Sequence, residues 1–240
     1  MVKRYNLRMP EKNLFKYFKT SREIIRLAVM YYVRYPLSFR QVEDVLHERG
    51  IDISHETVRF WVERFGLEFA GEIRRKRKGN QSNWRWHMDE VFVKINGELH
   101  YLWRAVDHEG EVLECYVSKR RNKAAALKFL KKTMRKHDVP NKIVTDKLRS
   151  YGAALKEIGG LNLQDTDCYL NNSCENSHLP FRRKERSMQK FKSGVTLQIF
   201  TSIHSQIYNH FNHQRHLQNR SVFKQQRSNS LSEWRGLCAA

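Results

Sequence analysis

The sequence is short of acidic charge: 25 Asp and Glu stand against 45 Lys and Arg, a formal net charge of +20 at pH 7 over 240 residues. An imbalance of that size attracts polyanions over long range, so nucleic acid is the first partner it suggests. Cysteine is sparse too. Cys115, Cys168, Cys174 and Cys238 form no C-x-x-C pair, and neither Cys168 nor Cys174 has a histidine at zinc-finger distance; they read as ordinary reduced thiols. No apolar stretch reaches the length of a membrane span, and the polar start from Met1 to Asn13 lacks the apolar segment of a secretory signal. The expected location is the cytoplasm, where DNA is. Nor are the basic residues gathered into one amphipathic helix. They are spread through aromatic and aliphatic patterning, which argues against a membrane-surface protein.

What is present falls into two periodicities, and the length allows a small domain plus a medium one. The first third is helical in pattern. Ser21 can cap a segment whose apolar residues Ile24, Ile25, Leu27, Ala28, Tyr31 and Tyr32 recur at helical spacing until Pro36. Ser38 and Gln41 make a capping box for a second helix that ends near Gly50. After a tight turn, Ser54 caps a third helix with Val58, Trp61, Val62 and Phe65 on its inner face and Gly66 as its expected stop. Two short helices across such a turn, behind a supporting helix, form the helix-turn-helix pattern. His55, Glu56, Arg59 and Arg64 are then the outward positions able to meet a DNA groove. A plain three-helix bundle has the same pattern. Residues 67–83 read as a basic linker, whose run Arg74, Arg75, Lys76, Arg77 and Lys78 is placed to follow a phosphate backbone.

Beyond residue 84 the period changes to two. Runs at 86–95, 99–107 and 112–118, separated by Asn96-Gly97 and His108-Glu109-Gly110, predict an antiparallel meander. A helix from about Lys123 to His137 follows Asn122, and Lys142 to Thr145 is a short apolar strand ending at Asp146. The order strand, strand, strand, helix, strand begins a ribonuclease H-like sheet, in which the fourth strand lies parallel beside the first.

That pairing carries the chemical argument. Two-metal phosphodiester chemistry needs carboxylates from separate parts of the chain, converging on cations about 3.5–4 Å apart. With the first and fourth strands adjacent, Asp89 and Asp146 can face one another, and strand ends are where open α/β sheets place ligands. An acid in an apolar strand costs several kcal/mol of desolvation unless paired or bound to metal. For a lone aspartate a salt bridge or a half-solvated face is the commoner explanation. Glu90 is the competitor, but strand alternation points it to the opposite face.

Five segments resemble a known family: Trp86-His-Met-Asp-Glu90, Tyr101-Leu-Trp-Arg-Ala-Val-Asp107, Arg120-Arg-Asn-Lys-Ala-Ala125, Thr145-Asp-Lys-Leu-Arg-Ser-Tyr-Gly152 and Asn171-Asn-Ser-Cys-Glu-Asn176. In order and from about Arg22 onward, they resemble the DDE transposases of the IS-six group of bacterial insertion sequences. The resemblance implies a ribonuclease H-like, retroviral-integrase-type core at 84–240, a mixed sheet flanked by helices, preceded by a small all-α helix-turn-helix domain at 1–66. It implies a catalytic triad of Asp89, Asp146 and Glu175 holding two Mg²⁺ ions, with Mn²⁺ as a substitute. It further implies cleavage at the element's ends, strand transfer into target DNA, and a homo-oligomer assembled on DNA rather than on a membrane.

Pro180 should kink or interrupt the helix carrying Glu175. The basic cluster Arg182, Arg183, Lys184 and Arg186 lies just beyond it, and Arg182, Arg183 and Arg186, with Lys147 and Arg149 beside Asp146, complete the expected DNA contacts; a solvated charge run is the plainer reading of the cluster. His204, His210, His213 and His216 could suggest zinc, yet packing and capping in a closing helix suits them better. Two rival functions remain at this level: a DNA-binding regulator derived from a transposase, and a ribonuclease H-like nuclease such as a junction resolvase.

Overall fold

The computed structural model describes residues 13–77, 84–166, 172–188, 190–213 and 217–238; the side chains of Asn172, Ser173 and Glu175 lie outside the description. Cys168, Asn171, His216 and the 78–83 part of the expected linker also fall outside it.

Three helices open the fold: α1 (Arg22–Arg34), α2 (Phe39–His47) and α3 (His55–Arg77). Their starts are fixed locally. The Ser21 hydroxyl accepts from the Ile24 amide, Ser38 and Gln41 close a reciprocal capping box, and Ser54 accepts from Thr57. Gly50, at φ +73°, makes the turn after α2.

The expected stop at Gly66 does not occur, and residues 67–77 are helix rather than linker. Phe69, Ala70 and Ile73 continue the buried stripe begun by Val62 and Phe65. Burying Phe69 and Ile73 contributes roughly 1.5–3 kcal/mol each, more than the ~1 kcal/mol that a mid-helix glycine costs. Gly66 serves close approach instead: a Cβ there would meet Ile203 Cδ1 at 2.8 Å. Gly66→Leu should therefore push the two helices apart and lower the unfolding free energy by about 1–3 kcal/mol in urea titration. An unchanged midpoint would mean that the seam tolerates the added bulk.

Next come β1 (Arg85–Ile95), β2 (Glu98–Asp107), β3 (Val112–Ser118), α4 (Lys123–His137), β4 (Lys142–Thr145), α5 (Arg149–Glu157) and the two-residue β5 (Gln164–Asp165). Asn96 and Gly97, at φ +50° and +87°, join β1 to β2, the positive pair that a two-residue hairpin turn requires. The sheet order is β3-β2-β1-β4-β5, antiparallel across the meander and parallel from β1 through β4 to β5. This is the expected ribonuclease H-like arrangement. Helices α6 (Asn172–Ser187), α7 (Gly194–Phe211) and α8 (Arg220–Arg235) complete the chain.

Strand alternation sorts the sheet into two cores. Trp86, Met88, Trp103 and Ala105 face Phe129, Leu130, Tyr151 and Leu155 of α4 and α5. Val91, Val93, Leu102 and Val106 belong to a second core with α7 residues Leu197, Ile203 and Ile207. That second core continues without a break into Ile25, Val29, Phe65 and Phe69 of the opening helices and Trp234 of α8. Helix α6 runs on through Pro180. Its far half is anchored by Phe181, fully buried, and by Lys184, which is 2 % exposed. The Lys184 ammonium donates to the Leu37 carbonyl and lies 3.6 Å from the Tyr32 ring centre, while burial pulls its pKa down to about 7. The helix carrying Glu175 is thereby fastened to the elbow between α1 and α2.

Candidate metal centre

β4 pairs with β1 only from Arg85 to Met88. Asp146 is the first residue past the end of β4, and Asp89 is the first residue of β1 that β4 no longer covers. The edge of β1 is open there, so side chains leaving either face can reach round it. Asp89 leans to the α6 side, with Oδ2 3.9 Å from His178 Nδ1 and Oδ1 accepting from the Glu90 amide at 2.8 Å. Glu90 starts from the α5 side, where the Tyr151 hydroxyl donates to it at 3.5 Å. Asp146 turns back to accept from the Leu148 amide at 3.0 Å. One oxygen from each of Asp89, Glu90 and Asp146 lies within 4.8 Å of the others.

Alternation thus holds for the directions in which Asp89 and Glu90 leave the strand. It does not keep their carboxylates apart, because both curl round an uncovered edge. The expectation that Glu90 would stay clear of the site is corrected on that ground. The useful signal was the shortness of the fourth strand: four residues ending before Asp89 leave both acids unscreened. Arg121 was missed as well. It pairs with Glu90 and lies 3.4 Å from Asp146, and nothing in its sequence neighbourhood announces a partner so far along the chain.

Electrostatics mark the group as short of positive charge. Burial first, and then the like charge of Asp146, lift the Glu90 carboxyl to about 7 against the pull of Arg121, with Asp89 adding to the rise. Three hard oxygen donors crowded this closely suit a divalent cation such as Mg²⁺, which binds through one or two carboxylates and keeps several waters. His178 offers no competing charge: burial, helped by Arg104 and Arg182, pushes it down to about 3. Glu175 lies on α6, but its side chain is outside the described residues.

The expected DNA-contacting residues take varied positions. Arg74, Arg75 and Lys76 are exposed on the last turn of α3, with Lys76 paired to Glu72 at 2.8 Å; Arg77 is tied to Glu111. Lys78 lies outside the described residues. Lys147, Arg149, Arg183 and Arg186 are exposed. Arg182 is half-buried and donates to the Phe92 carbonyl and to Glu185, each at 2.7 Å. At the start of α3, His55 Nδ1 lies 2.8 Å from Glu43, and Arg59 pairs with Glu56 at 3.1 Å. The histidines of α7 and just beyond it pack rather than cluster: His204 is buried against Phe200 and Tyr208, and His210 and His213 meet Ser230. Among the described residues the three-carboxylate group is the metal-binding candidate.

A β3-β2-β1-β4-β5 mixed sheet with acids gathered where its two central strands part company defines a ribonuclease H-like domain equipped for metal-assisted phosphodiester chemistry. Residues 83–214 match the family model described as a DDE domain, that of the IS240-type transposases. The transposase of the insertion sequence-like element IS431mec from Staphylococcus aureus is 32% identical over 189 residues, 76% of this chain and 83% of that one. The chain belongs to the DDE transposases of the IS-six family, enzymes of DNA cleavage and transfer. The transposase of IS257 in transposon Tn4003, also from Staphylococcus aureus, is 31% identical over the same shares of the two chains. Among solved structures, the HTLV-2 integrase catalytic core domain in complex with magnesium aligns over 60% of this chain and 93% of that one, at 14% identity and TM-score 0.42. No helix among the described residues is long and apolar enough to cross a membrane.

Proposed function

We propose that the protein binds the terminal inverted repeats of its insertion sequence, cuts one strand at each end to free a 3′-OH, and joins that end to target DNA. The observation that carries this reading is the convergence of Asp89 and Asp146 at the open edge between two parallel strands, in a chain of this family. Glu175, on the helix that packs beside β1 and β2, is assigned as the third acid. Two Mg²⁺ ions, with Mn²⁺ as a substitute, supply activation of the attacking oxygen and stabilisation of the leaving oxygen when bound.

The chain's own residues do the rest. Asp89 and Asp146 hold the cations and need not attack phosphorus themselves. The Glu90 amide and the Leu148 amide fix Oδ1 of each aspartate, while Asp89 Oδ2 lies 3.9 Å from His178 Nδ1 and Asp146 Oδ2 lies 3.4 Å from Arg121. His178, kept neutral by burial, leaves the negative charge of Asp89 to the metal. The segment 1–66 is assigned to recognition of the ends, with His55 and Arg59 at the reading end of α3. Arg74, Arg75, Lys76, Arg77, Lys78, Lys147, Arg149, Arg182, Arg183 and Arg186 are assigned to the phosphate backbone. Joining two ends in one event calls for a homo-oligomer on DNA.

The test is a Mg²⁺-dependent strand-transfer assay on duplexes carrying the element's ends. Joined product is expected; cleavage without joining would point to a nuclease, and neither activity to a binding protein. In the same assay Arg59→Ala should weaken binding to the terminal sequence by roughly 1–3 kcal/mol more than to random DNA. Equal losses on both would make Arg59 a phosphate contact.

A further inference from the structure

Arg121 lies in the loop between β3 and α4, one residue before the Asn122 that caps α4. Its Nη2 pairs with Glu90 Oε1 and lies 3.4 Å from Asp146 Oδ2, and its guanidinium carbon sits 5.4 Å from the centre of the Phe92 ring. A single nitrogen therefore touches two of the three carboxylates able to hold a cation.

The two contacts are unequal. The Glu90 side chain is 1% exposed, so removing its counter-ion strands a buried charge, a strongly unfavourable change. The Asp146 side chain is 37% exposed and its contact is longer, so water or another cation can replace the arginine there at small cost. Arg121 is itself 32% exposed, but its Nε is buried and without a hydrogen-bond partner among the described residues, so the terminal nitrogens are the part of it that an incoming group can reach. A guanidinium has five N–H donors in a rigid fork suited to phosphate, and with Nη2 on the two carboxylates and Nε buried, Nη1 is the arm left to meet one.

From this asymmetry the geometry points to Arg121 as a substrate-positioning residue that exchanges partners. It would neutralise Asp146 in the metal-free protein, give Asp146 up to a bound cation and, still held by Glu90, offer Nη1 to a DNA phosphate at the site. Glu90 serves here as the anchor of the arginine, leaving Asp89 and Asp146 to the cation. The inference rests on the transposase reading of this site. Its driving force is Coulombic: a dication on Asp146 and a guanidinium against the same oxygen repel, whereas a dication and a phosphate together draw the guanidinium forward.

Two measurements on the full chain test it, neither of them activity. The first is Mn²⁺ binding to DNA-free protein, followed by the electron paramagnetic resonance of free Mn²⁺. Arg121→Ala should tighten binding about tenfold, because a positive charge has left the neighbourhood of Asp146. Arg121→Lys, which keeps the charge, should stay near wild type, and Asp146→Asn should weaken binding. The second is affinity for a duplex of the element's end, with Ca²⁺ and with chelator. Arg121→Ala should lose about tenfold or more with Ca²⁺ and little without it, since the arginine is free for phosphate only once metal occupies Asp146. If alanine melts the loop, Arg121→Gln keeps the size and removes the charge. Unchanged or weaker Mn²⁺ binding in the neutral variants overturns the exchange, as does an equal loss of DNA affinity in both buffers. Equal Mn²⁺ binding by wild type and Asp146→Asn would sink the metal reading of the site, and this proposal with it.

Discussion

Asp89→Asn should reduce strand transfer by at least about 10²–10³-fold while leaving affinity for end DNA nearly unchanged. An amide is a poor ligand for a hard dication, so the charge proposed to hold metal at the strand edge is lost. Its carbonyl can still accept from the Glu90 amide, so the local backbone keeps its hydrogen bond. The basic residues that give the chain its +20 charge are untouched, which is why binding should survive. Stability should hold or rise, because the Asp89 charge is one of those that push Glu90 upward. A thermal melt distinguishes this outcome from misfolding, which would lower the melting temperature; a variant that joins ends at the wild-type rate would remove Asp89 from the metal centre.

The second large effect lies far from the chemistry. Trp234 is 2% exposed, and its ring centre lies 5.5 Å from that of Phe69 and 5.7 Å from that of Phe211. Its indole N–H donates to the Arg26 carbonyl at 3.1 Å. One side chain of α8 thus joins α1, α3 and α7. Trp234→Ala should cost about 3–5 kcal/mol, by lost transfer energy and by the cavity left behind. Against a typical total of about 5–15 kcal/mol, that is a large share. Because the apolar core passes unbroken from the opening helices to the sheet, both should unfold in one transition, with tryptophan fluorescence and helix dichroism coincident in urea. Two separated transitions would show instead that the opening helices are an independent unit.

Helix caps at Ser21, Ser38, Ser54 and Asn122, the Asn96-Gly97 turn and the change of period at residue 84 were all legible in the sequence, because each depends on residues a few positions apart. So was the adjacency of Asp89 and Asp146, since a crossover helix between two strands leaves few ways for them to lie. The course of α3 beyond Gly66 was not, because a distant partner, α7, supplies the burial that outweighs the glycine. The inward turn of Glu90 and its pairing with Arg121 depended on where a neighbouring strand stops and on how a loop thirty residues away returns to it. The sequence by itself determined the opening helices up to Gly66, the meander, the crossover helix and fourth strand, and two aspartates, one within a strand and one at a strand end. Only the tertiary structure decided which charges share one space, because Coulombic and packing partners are chosen by proximity in the folded chain, and local propensity has no hold over that.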